Sequence, residues 1–142
     1  MARSSITNWR GGTGGFFPIS ATHSGDGLLD ELDCGVQDNM IICNMKALGS
    51  GETITINTPF AFEVIDVWLV VGNGENVTSK TLTVKNNATA LSSALSMATD
   101  KGVASTATLD EDQAKFGAGD NDLVLTSSAH ADGGGTIYIV FR

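Results

Sequence analysis

The sequence predicts an all-β protein, an antiparallel sandwich of two sheets. Three observations carry that prediction. Short β-type runs recur over the last two thirds of the chain, Gly, Asn and Asp punctuate them, and apolar residues within them alternate with period two. The composition agrees. Among 142 residues, 17 Gly and a charged share of 17% fit a loop-rich β protein better than a helical one, and 42% hydrophobic residues is ordinary for a globular domain. A chain of this length buries about 70% of its unfolded surface as one domain, so it needs no staple to fold.

Residues 1–36 read as an extended N-terminal arm and residues 37–142 as the sandwich domain. The arm holds a flexible hinge, Gly11-Gly12-Thr13-Gly14-Gly15, and large apolar groups, Trp9, Phe16, Phe17 and Ile19, with no strand period. A wholly solvated tail seldom carries such aromatics, because exposed they promote aggregation. The arm is therefore expected to dock on a neighbouring surface.

The strands follow in order. Met40-Ile41-Ile42-Cys43 is the first, and in Thr53-Ile54-Thr55-Ile56 the isoleucines alternate with threonines. From Phe60 to Val71 the phase changes: Phe60, Phe62 and Val64 occupy even positions, whereas Ile65, Val67, Leu69 and Val71 occupy odd ones. Either a bulge near Ile65-Asp66 shifts the register or both faces are covered, and the run should be the central strand. Gly72-Asn73-Gly74 ends it. Leu82 and Val84 then alternate with Thr81, Thr83 and Lys85.

One short helix is expected next. Leu91, Ala94, Leu95 and Ala98 fall at helical spacing, with Asn87 or Thr89 as cap and Ser92, Ser93, Ser96 and Thr99 on the wet face. At roughly ten residues it must pack on the sheet to persist. Val103 to Leu109, Leu123-Val124-Leu125-Thr126 and Thr136 to Phe141 complete the strands. Seven or eight antiparallel strands in two sheets fit a jelly roll first, with immunoglobulin-like topology as the second reading. The Cys…Trp…Cys order of antibody domains is absent, since Cys34 and Cys43 both precede Trp68.

Charge narrows the function classes. Sixteen acidic against eight basic residues give a formal charge of −8, and the bases are scattered singly. Nucleic-acid binding needs clustered Lys and Arg to displace phosphate counterions, so no nucleic-acid partner is expected. No run approaches the ~18 apolar residues of a membrane span, and Met1-Ala2-Arg3-Ser4-Ser5 leads into no apolar signal segment. The expectation is a soluble compartment, with no membrane and no export. In that setting Cys34 and Cys43 read first as reduced packing residues and only second as a disulfide. The sequons at Asn76 and Asn87 would stay unmodified.

The search for chemistry assigns no catalytic, cofactor-binding or metal-ligating residue. His23 and His130 stand far apart, and Cys34 and Cys43 lack the spacing that lets two thiolates reach one zinc. Acidic clusters at Asp26/Asp30/Glu31/Asp33, Asp110/Glu111/Asp112 and Asp120/Asp122 lack the EF-hand spacing and read as solvated turns, with Asp120 capping one of them. There is no G-x-S-x-G motif, and the glycines at 11–15 lack the Lys and helix of a phosphate loop. No enzyme is expected.

Phe60-Ala61-Phe62-Glu63-Val64-Ile65-Asp66-Val67-Trp68, Thr81-Leu82-Thr83-Val84-Lys85 with its small-residue helix, Phe116-Gly117-Ala118-Gly119-Asp120 before a strand, and Gly133 to Gly135 before the last strand form a recognisable series. Together they make residues 38–142 resemble the decoration, or cement, proteins of tailed-bacteriophage capsids. The resemblance implies a small β domain, often a homotrimer, on the outside of a virion, made in the host cytoplasm and bound to the major capsid protein. It implies that neighbouring capsid subunits are held together against internal DNA pressure. On that reading Trp9, Arg10, Phe16, Phe17 and Ile19 would contact the capsid or a sister subunit, the aromatics as buried anchors and Arg10 opposite an acid. A lectin-like sandwich or a head- or tail-fibre component, using loops near Asn73, Asn76 and Asp120, is the competing class.

Overall fold

Alternating apolar residues build two antiparallel sheets in the computed structural model, which describes residues 17–24, 33–45, 53–71, 81–96, 104–128 and 135–142. The strands are β1 (Phe17–Pro18), β2 (Ser20–Ser24), β3 (Asp33–Gln37), β4 (Met40–Met45), β5 (Thr53–Asn57), β6 (Phe62–Val71) and β7 (Thr81–Asn86). They continue as β8 (Thr89–Ala90), β9 (Leu95–Ser96), β10 (Ala104–Thr106), β11 (Lys115–Phe116), β12 (Leu123–Ser127) and β13 (Gly135–Phe141). One sheet runs β1-β3-β4-β13-β6-β10, with β11 also pairing β6. The other runs β2-β5-β12-β7-β8, with β9 also pairing β7. A single core joins them: Ile41, Val67, Leu69, Ile137 and Ile139 of the first sheet pack with Ile54, Ile56, Leu82, Val84, Leu123 and Leu125 of the second. The result is a β-sandwich.

Each strand run read from the sequence contains a strand, although the run 103–109 is strand only at Ala104–Thr106 and the run from Phe60 only from Phe62, and β6 lies inside its sheet as expected, between β13 and β10. The change of phase within it is a bulge. Val64 and Val67 both face the core while Ile65 and Asp66 are exposed between them, and the β13 partners step from Asp66 to Val64 as β13 passes from Val140 to Phe141. Asp66 Oδ1 accepts from the Val67 N–H at 2.8 Å, which occupies the bulged backbone.

The expected helix is corrected. Asn87 and Ala88 form a two-residue hairpin turn between β7 and β8, and Leu95–Ser96 returns to pair with Thr81 and Leu82. Leu91 and Leu95 are buried, as a helix stripe would be, but as inward residues of a broken edge strand. Between β8 and β9 the edge of β7 would be bare at Val84; instead Leu91 N and Ser92 N donate to Val84 O, and Ser92 Oγ accepts from Val84 N at 2.9 Å. Asn87 has φ 56°, a left-handed conformation that its short side chain tolerates, so it makes the turn rather than a helix cap. The one helical turn among the described residues is a 3₁₀ turn, Glu111–Gln113.

The arm is corrected in part. From Phe17 onward it is sheet: Phe17 and Pro18 pair with Val36 and Gly35, and Ser20–Ser24 pair with β5. Trp9, Arg10 and Phe16 lie outside the described residues.

The cysteines are corrected as well. Cys34 and Cys43 face each other across β3 and β4, with Cα atoms 4.2 Å apart, and form a disulfide. The hairpin dictates the pairing. Its two-residue turn, Asp38-Asn39, places position 34 opposite position 43.

Candidate functional site

The sheet switch at the start of the described chain creates the site. β1 is the edge of one sheet and β2 the edge of the other, so the chain crosses the open side of the sandwich at Ile19. Ile19 N donates to Cys34 O at 3.0 Å, which ties the crossing to β3. Pro18, without an N–H, suits an edge position that forms no further ladder.

Beside this crossing lies an apolar groove of about 400 Å³, lined by Phe17, Pro18, Ile19, Val36, Pro59, Phe60 and Phe141. Its floor is an aromatic cluster. Phe60 sits 5.6 Å from Phe62 and 5.3 Å from Phe141, ring centre to ring centre, and Phe62 stacks on Phe116 at 4.8 Å and 4°. Such pairs add about 0.5–1.5 kcal/mol each beyond area burial. Phe17 on the rim is 64% exposed, whereas Ile19 is half-buried against the core. Two of the residues singled out from the sequence, Phe17 and Ile19, thus share one wall. Val36, Pro59, Phe60 and Phe141 were not singled out; their convergence depends on strands far apart in sequence.

The acidic clusters have structural roles where they are described. Asp110 caps the 3₁₀ turn by accepting from Asp112 N at 3.1 Å. The Asp120 carboxylate folds over Gly117, 2.5 Å from where a Cβ would sit. Asn57 Nδ2 donates to Asn121 Oδ1 at 2.7 Å, anchoring the same turn to β5. Among the described residues no group of three or more His, Cys, Asp or Glu could hold a metal ion. His23 lies on β2, and His130 and Asp26, Asp30 and Glu31 lie outside the described residues.

The two outer faces differ in chemistry. Outward positions on β4, β13 and β6 carry Asn44, Thr136 and Asp66 together with buried Ile42 and half-buried Trp68, Val70, Tyr138 and Val140, with Trp68 and Tyr138 stacked at 4.8 Å. The corresponding positions of the other sheet carry Thr55, Asn57, Thr83, Lys85 and Thr126, with Val124 among them. The first face is thus the more apolar of the two around Trp68 and Tyr138.

Family models, curated proteins and solved structures yield no match to this chain. Its functional reading therefore rests on the groove, the faces and the topology.

Proposed function

We propose that this chain is a non-enzymatic structural protein of a virion, one that binds the outer surface of a phage capsid and cements neighbouring major capsid protein subunits. The observation that carries the reading is the apolar groove with exposed Phe17 on its rim, at the point where the aromatic segment 1–16 joins the sandwich. A buried aromatic anchor in an apolar groove is the usual centre of a strong protein contact.

The fold reading is a jelly roll. What supports it is the alternation of successive strands between the sheets: β4, β6, β10 and β13 belong to one, and β5, β7 and β12 to the other. Two interleaved Greek keys produce that order. The protein acts as a homotrimer, with the Trp68/Tyr138 face as the self-contact, because that face is the more apolar of the two while the molecule as a whole carries −8. A trimer multiplies weak capsid contacts into a strong clamp. The Cys34–Cys43 disulfide suits a protein whose working place is a particle outside the cell, although the chain is made in cytoplasm. No cofactor, nucleic acid or membrane enters the mechanism.

The test uses expanded shells lacking the protein. Full-length chain is expected to sediment with them as a trimer, and a chain truncated to begin at Phe17 is expected to stay trimeric but bind at least ten-fold more weakly. Equal binding by both forms would remove the arm from the contact, and a monomer indifferent to shells would remove the proposal.

A further inference from the structure

Cys34 and Cys43 are joined within the core, and the segment that crosses between the sheets is hydrogen-bonded to one of them. We propose that the pair is a redox latch: the hairpin brings both thiols together in the folded reduced chain, and the bond, once closed, meets reductant only when the Pro18-Ile19 crossing lifts. The latch belongs to the sandwich itself and needs no capsid.

Placement comes first. In the β3–β4 hairpin Asp33 to Gln37 pair with Asn44 to Met40, and that register sets Cys34 opposite Cys43 before any bond forms. Asp38, with φ 54°, makes the turn, β4 is paired along its other edge with β13, and Ile41 is fully buried. None of these contacts needs the bond. Opposite residues of an antiparallel pair hold their Cβ atoms about 4.5–5.5 Å apart, so the two thiols face each other nearly at bonding range.

Closure follows ordinary exchange chemistry, with a low-molecular-weight disulfide as oxidant. One cysteine thiolate attacks the oxidant's S–S bond and expels a small thiolate, leaving a mixed disulfide; the second cysteine thiolate attacks the protein sulfur of that bond and expels the other. Two electrons pass from the cysteines to the oxidant, and the two cysteine protons end on the two small thiols. Closing a loop with a sequence separation of 9 favours the folded chain on the order of 50-fold in the chain-entropy model. Linkage is reciprocal, so the fold favours the bond by the same factor.

Shielding comes from the crossing. Cys34 is 5% exposed and Cys43 0%. β3 lies between β4 and the two-residue β1, beyond which Ile19 N donates to Cys34 O at 3.0 Å and Ile19 packs against the core that contains both cysteines. So short an edge strand opens locally at far less cost than the strands inside the sheet. Reductant therefore enters by that opening rather than by global unfolding.

The test equilibrates the full chain with reduced and oxidised glutathione, traps free thiols by alkylation and counts them by mass spectrometry. The reduced chain is expected to keep the β-sheet circular dichroism of the oxidised one. Half-oxidation is expected at a ratio of squared reduced to oxidised glutathione at least about ten-fold above that of the urea-unfolded chain. An unfolded reduced chain overturns the latch, as does a ratio equal to that of the unfolded chain. In dithiothreitol the oxidised chain is expected to be reduced about ten-fold more slowly than in urea. Ile19→Ser is expected to speed that reduction several-fold, whereas Ser92→Ala, which weakens the other sheet, leaves it at the parent rate. Equal acceleration by both substitutions means that global unfolding admits the reductant and overturns the gate, and so does no acceleration by Ile19→Ser. Should Ile19→Ser fail to fold, Ile19→Ala carries the same comparison.

Discussion

Ser92 shows how a single side chain holds an interrupted edge together. Its hydroxyl is buried, accepts from Val84 N and donates to Ser93 O at 2.9 Å, filling the gap between β8 and β9. Ser92→Ala leaves the Val84 N–H buried without that acceptor, so a loss of about 1–3 kcal/mol is expected from urea unfolding. A loss under half that figure would mean that water replaces the hydroxyl. The Cys34–Cys43 bond closes a loop with a sequence separation of 9, and restricting an unfolded loop that short is worth about 2.5 kcal/mol in the chain-entropy model. Paired Cys34→Ala and Cys43→Ala substitutions should lower the denaturation midpoint accordingly and leave the slope nearly unchanged. Reductant should do the same to the native chain, and a midpoint indifferent to both would show the hairpin self-sufficient. The Arg142–Glu63 pair at 3.3 Å offers no comparable handle, because the Arg142 side chain is 70% exposed and surface pairs contribute little.

At the scale of elements, β6 is the strand on which the sandwich turns. Its bulge at Ile65-Asp66 lets Phe62 and Val64 face the same core as Val67 and Leu69. Deleting Asp66 removes the extra residue and leaves Phe62, Val64, Val67 and Leu69 in plain alternation, all still facing the core. The expected outcome is that a cooperative unfolding transition is retained; its loss would mean that the bulge itself is needed to hold β6 against β13. This phase change was legible in the sequence because strand side chains alternate strictly, so one extra residue leaves a visible slip. The strands with clean alternation, β5, β7, β12 and β13, were equally plain. The region 87–96 was not: Leu91 and Leu95 are spaced four apart in a helix stripe and also in an edge strand that is interrupted and resumed. Which applies depends on the bare edge of β7, a partner remote from local periodicity. β1 and β2 were hidden for a related reason, since in Ser20-Ala21-Thr22-His23-Ser24 only Ala21 is apolar, too little to read as a face, although it packs against the core where β2 pairs with β5. The disulfide was within reach of the sequence, had Asp38-Asn39 been recognised as a two-residue turn. Only Phe17 and Ile19 of the groove could be singled out, because Val36, Phe60 and Phe141 converge through long-range pairing.

At the scale of the molecule, the account joins a two-faced sandwich to an aromatic segment at one edge. In the proposed clamp the Thr- and Lys-bearing face meets water, the Trp68/Tyr138 face a sister subunit, and the groove beside Phe17 an anchor. A reconstruction of the virion assembled in the presence of this chain tests the central proposal most directly. The account predicts trimeric β-sandwich density on the outer shell at quasi-threefold positions, touching more than one major capsid protein subunit. A shell whose outer surface is the same with and without the chain would contradict it.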